Sequence, residues 1–333
     1  MRILVTRLRF LGDIVLSTPL LEILRDGFPD ASIEYLAVEP HARVLEAHPA
    51  VDRLHVLPAR PGLGDLLRVV RELRAGPRID WAFDLYSNPR SAIIVALSGA
   101  RQRVGSDRGI RARVYQHRRR RPAGDRSAIR HHLDKLVPLL GHLPEPRPVH
   151  LVADKNRSRA VLESLGVSQG QFSLIHPGST WSDKAWPEER WSQLMRGLDR
   201  DRTGELLVVC GPGEAEMSGR VADAGQARLL PPLDIPVLSS ILQRARLYVG
   251  NDGGVMHMAV AHSVATVGLF GPTEPDIWFP YEQWGPFRVV HECGPEQLDE
   301  AGNKLSRLGP ISVAAVAGMI DEVLVASERA GAR

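Results

Sequence analysis

Residues 248–275 read YVGNDGGVMHMAVAHSVATVGLFGPTEP, and this stretch decides the fold. Leu247–Val249 and Ala265–Phe270 have the apolar character of buried strands, with a Gly-rich turn at Gly250–Gly254 and a helix between them. Strand, helix and strand in this order make a βαβ crossover, the unit of a parallel sheet covered on both faces. Such sheets take ligands beyond the carboxyl ends of their strands, where a helix begins. Gly253 and Gly254 have no Cβ to hold a ligand away from the backbone. The free N–H groups of the helix start suit a phosphate. Asp252 and His257 flank that point. Taken alone, the pattern serves equally well as a turn in an α/β core, so function depends on whether other stretches converge on it.

Two do. The strand Phe172–His176 opens into HPGSTWSDKAWPEERWSQLMRGL, residues 176–198. Pro177-Gly178 turns the chain, Ser179 and Thr180 supply hydroxyls, and Lys184 supplies a positive charge. Pro187 suits the first turn of the next helix, with Glu188 and Glu189 matching its dipole. Strand, Gly turn, hydroxyls, Lys and helix follow the logic of a phosphate cradle. The spacing is not that of a P-loop. Nor is there a GxGxxG, because Gly211-Pro212-Gly213 is followed by Glu216 where the third Gly would fall, which weakens a nicotinamide-enzyme reading. Glu214 and Glu216 instead open a helix after the strand Leu206–Cys210, where an acidic side chain serves either the helix dipole or ribose hydroxyls. At the N-terminus the strand Met1–Thr6 leads into RLRFLGDIVLSTPLLEILRDGFP. Gly12 permits a turn, Asp13 stands at or just before a helix start, and Leu16, Leu20, Leu21 and Leu24 recur at helical spacing. Asp there is a routine cap, and a cap can also be a base.

The remaining elements alternate in the same way. Strands are expected at Ser32–Ala37, Val51–Leu57, Trp81–Leu85 and Gln102–Val104, and helices at Gly64–Arg74, Ser91–Leu97, His131–Leu140, Val237–Ala245 and Ile311–Ser327. The pattern breaks over 105–130, where nine arginines and little periodicity predict a long surface loop. Arginines 118–121 suit phosphates or simple solvation. No helix-turn-helix or RNA-binding aromatic signature accompanies them, so nucleic acid is not an expected partner. Three prolines between Leu143 and Val149 mark a linker.

At 333 residues the chain has room for two α/β domains. Residues 1–150 carry 25 Lys and Arg against 16 Asp and Glu, a balance of +9; the rest carry 17 against 23, a balance of −6, together the chain's +3. A basic first half suits an anionic partner. No apolar run reaches membrane-spanning length, and MRILVTRLRF reads as a strand, not as a secretory signal. Cys210 and Cys293 offer neither a disulfide framework nor metal-ligand spacing. A reducing cytoplasm and a monomer are the simple expectations.

The segments RILVTRLRFLGDIVLSTPLL, IHPGSTWSDKAWPEERW and VGNDGGVMHMAVAHSVATVGLFGPTEP together resemble glycosyltransferase family 9, the ADP-heptose:lipopolysaccharide heptosyltransferases. The resemblance implies a GT-B architecture of class α/β, two Rossmann-like domains facing across a cleft. An acceptor-side domain over 1–149 would be followed by a nucleotide-sugar domain over 150–333. It also implies inversion at the transferred carbon, no obligatory metal and no cofactor beyond the ADP-sugar donor. Asp13 matches the Asp of the family's Gly-Asp pair, the proposed general base. Lys184 matches the Lys before Trp-Pro that contacts the diphosphate, and Ser179 and Thr180 fall where hydroxyls meet the same phosphates. Asp252, Gly253, Gly254 and His257 match G-x-D-x-G-x-x-H around the donor sugar, and Glu216 matches more loosely an acid that contacts the nucleoside. The chain departs from the family in having Gly253 where Ser or Thr is common, and only one late cysteine.

The expected partners are a nucleotide-sugar donor and an anionic glycolipid acceptor, which would bring a cytoplasmic enzyme to the inner face of the membrane. Two alternatives share the architecture: a nucleotide-sugar epimerase or hydrolase, and a sugar-nucleotide-binding protein without turnover.

Overall fold

A computed structural model describes residues 1–120 and 126–331. The chain packs into two compact units, Met1–Val152 and Ala153–Arg333. In the first, six parallel strands form one sheet: β1 (Arg2–Thr6), β2 (Ser32–Val38), β3 (Arg53–Leu57), β4 (Trp81–Asp84), β5 (Gln102–Ser106) and β6 (His117–Arg119), in the order β3-β2-β1-β4-β5-β6. The second unit repeats this winding with β7 (Phe172–His176), β8 (Glu205–Val208), β9 (Arg228–Leu229), β10 (Leu247–Asn251), β11 (Ala265–Phe270) and β12 (Phe287–His291), in the order β12-β11-β10-β7-β8-β9. Each is therefore a doubly wound Rossmann-like unit, and the chain has the α/β class and paired-unit composition of GT-B proteins.

The order fixes where chemistry can sit. Chain direction across each sheet reverses between β1 and β4, and between β7 and β10, and ligands of such sheets lie beyond the strand ends at that switch point. Buried Ile3, Leu4 and Val5 make β1 a strand covered on both faces, as do Leu174 and Ile175 for β7 and Leu247, Tyr248 and Val249 for β10. In the second unit the closing helix Val313–Gly331 buries Val316, Ile320, Val323 and Leu324 against β11 and β12. Among the described residues no helix is long and apolar enough to cross a membrane.

Three sequence expectations need correction. The Gly-rich turn does not start at Gly250: β10 continues to Asn251, and the helix starts at Gly254. Gly250 makes room for a ring rather than a turn, since a Cβ there would lie 2.3 Å from the Tyr248 hydroxyl. The expected loop over 105–130 holds a single helical turn at Ile110–Val114, the edge strand β6 and the start of the helix Ala128–Leu133. Backbone pairing with β5, the buried ring of Tyr115 and an Arg119–Asp134 ion pair at 2.6 Å order this part despite its weak periodicity. Residues 121–125, and so Arg121 of the basic run, lie outside the described residues. Finally, β9 and β12 are edge strands that the pattern did not reveal.

Candidate active site

In the second unit β7 and β10 are neighbours with His176 opposite Gly250. The residues that follow each strand, Pro177-Gly178-Ser179-Thr180 and Asp252-Gly253-Gly254, thus leave the sheet side by side at the switch point. Asn251 fastens them together. Its side-chain amide donates to the carbonyls of Pro177 (2.7 Å) and Gly178 (3.2 Å), while its side-chain oxygen accepts from the Trp186 backbone N–H at 3.1 Å. Asn251 is 1% exposed, so these bonds meet a buried amide's needs and set the path of both loops.

Lys184 and Asp252, predicted from separate stretches, form an ion pair: Nζ donates to Asp252 Oδ2 at 2.7 Å. The Thr273 hydroxyl, after β11, donates to the same oxygen at 2.7 Å. Both charged side chains are largely withdrawn from solvent. The pair stands at the start of the helix Gly254–Ala261, whose first N–H groups carry the positive end of the helix dipole. With Asp252 matched by Lys184, those N–H groups and the hydroxyls of Ser179 and Thr180 remain as donors for an anion. The Ser179 hydroxyl accepts from the Trp181 backbone N–H at 3.3 Å, and Thr180 is exposed. Gly253 is extended, and a Cβ on it would meet only the Asn251 carbonyl oxygen, at 3.7 Å.

Two predicted residues stand apart from this cluster. His257 is buried in the helix, with Nδ1 2.6 Å from the Tyr281 hydroxyl and the two rings edge to face. The Glu216 side chain is 92% exposed and pairs with Arg220 one turn on. Glu214, two residues earlier, turns inward. Its carboxylate accepts from the Gly211 N–H at 2.7 Å and lies 3.3 Å from His176 Nε2. Burial would raise the carboxyl's pKa, but His176 and the Gly211 N–H together hold it below the usual range. A Cβ on Gly178 would fall 2.0 Å from this carboxylate, so that glycine is what lets Glu214 lie against the cradle.

In the first unit Asp13 sits in the first turn of the short helix Leu11–Val15, not ahead of it. It is buried and paired with Arg7, which directly follows β1, at 2.5 Å. The Arg7 guanidinium lies 4.4 Å over the Tyr86 ring, a cation–π contact. Tyr86 follows β4 and is fixed by Asp84, whose carboxylate accepts from the backbone N–H groups of Tyr86 and Ser87 and from the Tyr115 hydroxyl. Asp13 is therefore held at this unit's own switch point through groups from β1 and β4. In the sequence Glu214 stands with Glu216 as an acid after a strand, and only Glu216 is matched to the nucleoside; Thr273, Asn251 and Arg7 had no singled-out role there. Their only signal was position, each just after or at the end of a strand.

Residues 66–300 match the family model for glycosyltransferase family 9 (heptosyltransferase). The chain is similar to lipopolysaccharide heptosyltransferase 1 of Pseudomonas aeruginosa, 29% identical over 84% of this chain and 81% of that one. Its fold is similar to that of a family 9 glycosyl transferase from Veillonella parvula, with a TM-score of 0.83, 24% identity and 97% of each chain covered. It is also similar in fold to an E. coli heptosyltransferase solved with ADP-2-deoxy-2-fluoro heptose, with a TM-score of 0.74 and 22% identity over 97% of this chain and 99% of that one.

Proposed function

The chain belongs to glycosyltransferase family 9, the heptosyltransferase family, and is a glycosyltransferase; we propose that it moves a heptose from ADP-heptose to an anionic glycolipid of the lipopolysaccharide inner core, with inversion. The observation that carries this reading is the meeting of Lys184 and Asp252 at a helix start on the second unit's switch point. Departure of ADP builds negative charge on the diphosphate. The Gly254 helix start, the Ser179 and Thr180 hydroxyls and the Lys184 ammonium are groups that stabilise such charge. We assign them to the diphosphate, and Asp252, with Gly253 and Gly254, to the donor sugar, whose hydroxyls can donate to the carboxylate. Glu214 is the acidic side chain better placed than Glu216 to accept from the nucleoside ribose. His257 enters this scheme as a brace for the helix through Tyr281.

Asp13 is assigned as the base that takes the acceptor hydroxyl's proton. Arg7 fixes the carboxylate's orientation, and the second carboxylate oxygen is the one left to meet the hydroxyl. In this scheme the chain's own cations and N–H groups neutralise the leaving group without a metal. The basic first unit suits an acid-rich acceptor, and an acceptor anchored in a bilayer would bring the enzyme to the membrane surface.

The donor assignment is tested by calorimetry with ADP-, GDP- and UDP-sugars. ADP-heptose should bind at least tenfold more tightly than the other two nucleotide classes. Equal affinities would remove the adenine-nucleotide part of the proposal.

A further inference from the structure

In the first unit the crossovers from β3 to β4, β4 to β5 and β5 to β6 cover one face of the sheet. They carry the helices Leu63–Arg74 and Pro89–Leu97 and the turn Ile110–Val114, each packed against the next. Their inner sides share one core, with Val69, Leu73, Ile94, Val95 and Tyr115 all buried. Their outer sides are not the polar surface such elements usually show. Leu63 is 81% exposed and Ile110 76%, and Leu67, Ile93 and Leu97 are each close to half exposed. Leu63 and Leu67 are one turn apart, as are Ile93 and Leu97, so each helix presents an apolar stripe outward.

The helix Leu63–Arg74 also carries Asp65 and Glu72, but around the Ile93–Leu97 stripe and Ile110 the charge has one sign. From 86 to 120 the chain holds nine arginines and a single acid, Asp107, which is exposed. Arg90 lies on the outward stripe of its helix, Arg111 and Arg113 are exposed on the turn beside Ile110, and Arg108 stands two residues before Ile110. Among the described residues none of these four is in an ion pair. Exposed Leu and Ile interleaved with unpaired Arg is the make-up of a surface that lies in a membrane interface, apolar groups inserted and cations at the headgroups.

We propose that this face docks the enzyme on an anionic lipid bilayer. Ile110, Ile93 and Leu97 enter the headgroup boundary, and Arg90, Arg108, Arg111 and Arg113 meet lipid phosphates. A neutral protein partner would leave the arginines without counter-charges, and a nucleic acid would leave the leucines and isoleucines without a use. The proposal rests on the reading of the acceptor as a bilayer-borne glycolipid, yet its measurement needs lipid alone.

The full chain is sedimented with vesicles of phosphatidylcholine, and with vesicles in which roughly one-third is phosphatidylglycerol. Binding is expected only to the anionic vesicles, and to weaken as salt rises. The Ile93→Ser/Ile110→Ser and Arg111→Gln/Arg113→Gln variants should each bind at least fivefold less, with unchanged melting temperatures because all four sites are exposed. Transfer to a soluble, deacylated acceptor should be unchanged in both variants, and its failure in the parent would count against the proposed function, not against docking. Equal vesicle binding by parent and apolar variant overturns the proposal. So does a parent that dimerises without lipid through this face and loses both dimer and binding together in the variants.

Discussion

The Lys184 ammonium and the Thr273 hydroxyl both donate to one oxygen of Asp252, each at 2.7 Å. Lys184 comes from the loop after β7, Asp252 directly follows β10 and Thr273 lies in the turn after β11, so the segments leaving three strands are tied at one carboxylate. Lys184→Met should weaken ADP-heptose binding about 10- to 100-fold, the size of a lost charge-assisted hydrogen bond. It should also lower the melting temperature, because it leaves a mostly buried carboxylate without its cation. Adding Asp252→Asn to Lys184→Met should restore much of the stability and none of the affinity. A double variant that regains donor binding would show that the lysine acts only as a structural partner of Asp252.

Asp13→Asn keeps the side chain's shape and a contact to Arg7 but removes the base. The turnover number should fall about 10²- to 10⁴-fold, with donor affinity within twofold of the parent by calorimetry. Normal turnover in this variant would assign the proton to another group.

Two glycines of the second unit should behave oppositely. Gly253 is extended and open, so Gly253→Ser should change stability by no more than about 0.5 kcal/mol and should alter the donor-sugar KM through its new hydroxyl. Gly178→Ala must move the Glu214 carboxylate. It should cost about 1–3 kcal/mol, as overpacking does, and weaken nucleotide binding. Thermal melts and donor titrations of both variants check this; a destabilised Gly253→Ser would mean that position is more crowded than the structure has it.

Acid should unfold the first unit through two histidines. Burial holds His132 down to about 3, helped by the Arg7 charge, and burial and the His150 charge hold His48 down to about 4, both from 6.5. Below 6.5 the unfolded chain binds protons that the folded chain refuses, so stability is full above that pH and falls as pH drops towards the folded values. At pH 4.5 each histidine should cost about 2.5 kcal/mol relative to pH 7. Urea midpoints at the two pH values measure the loss, and His48→Asn should recover about 2 kcal/mol of it. A midpoint independent of pH over this range would contradict the burial of neutral imidazoles.

The fold was legible where strands run apolar and helices keep their period, as from Leu247 to Phe270. The strands the sequence concealed are edge strands. His117–Arg119 and Arg228–Leu229 have no hydrophobic pattern and exist through backbone pairing to β5 and β8. The site was legible as motifs but not as contacts. Lys184 and Asp252 are 68 positions apart, and only the parallel register of β7 and β10 brings them together. Glu214 and Glu216 are indistinguishable by spacing from the strand, and the side of the helix start each occupies decides which faces the cradle. Arg7 looked like one more cation of a basic half until the fold placed it between Tyr86 and Asp13.

The central claim is tested most directly by incubating the purified chain with ADP-heptose, with and without a deacylated anionic inner-core acceptor, and following both ADP release and acceptor mass. The account predicts ADP release that depends on acceptor, matched mole for mole by acceptor heavier by one heptose residue. ADP release that is equally fast without acceptor, or a donor sugar isomerised while still bound to its nucleotide, would contradict it.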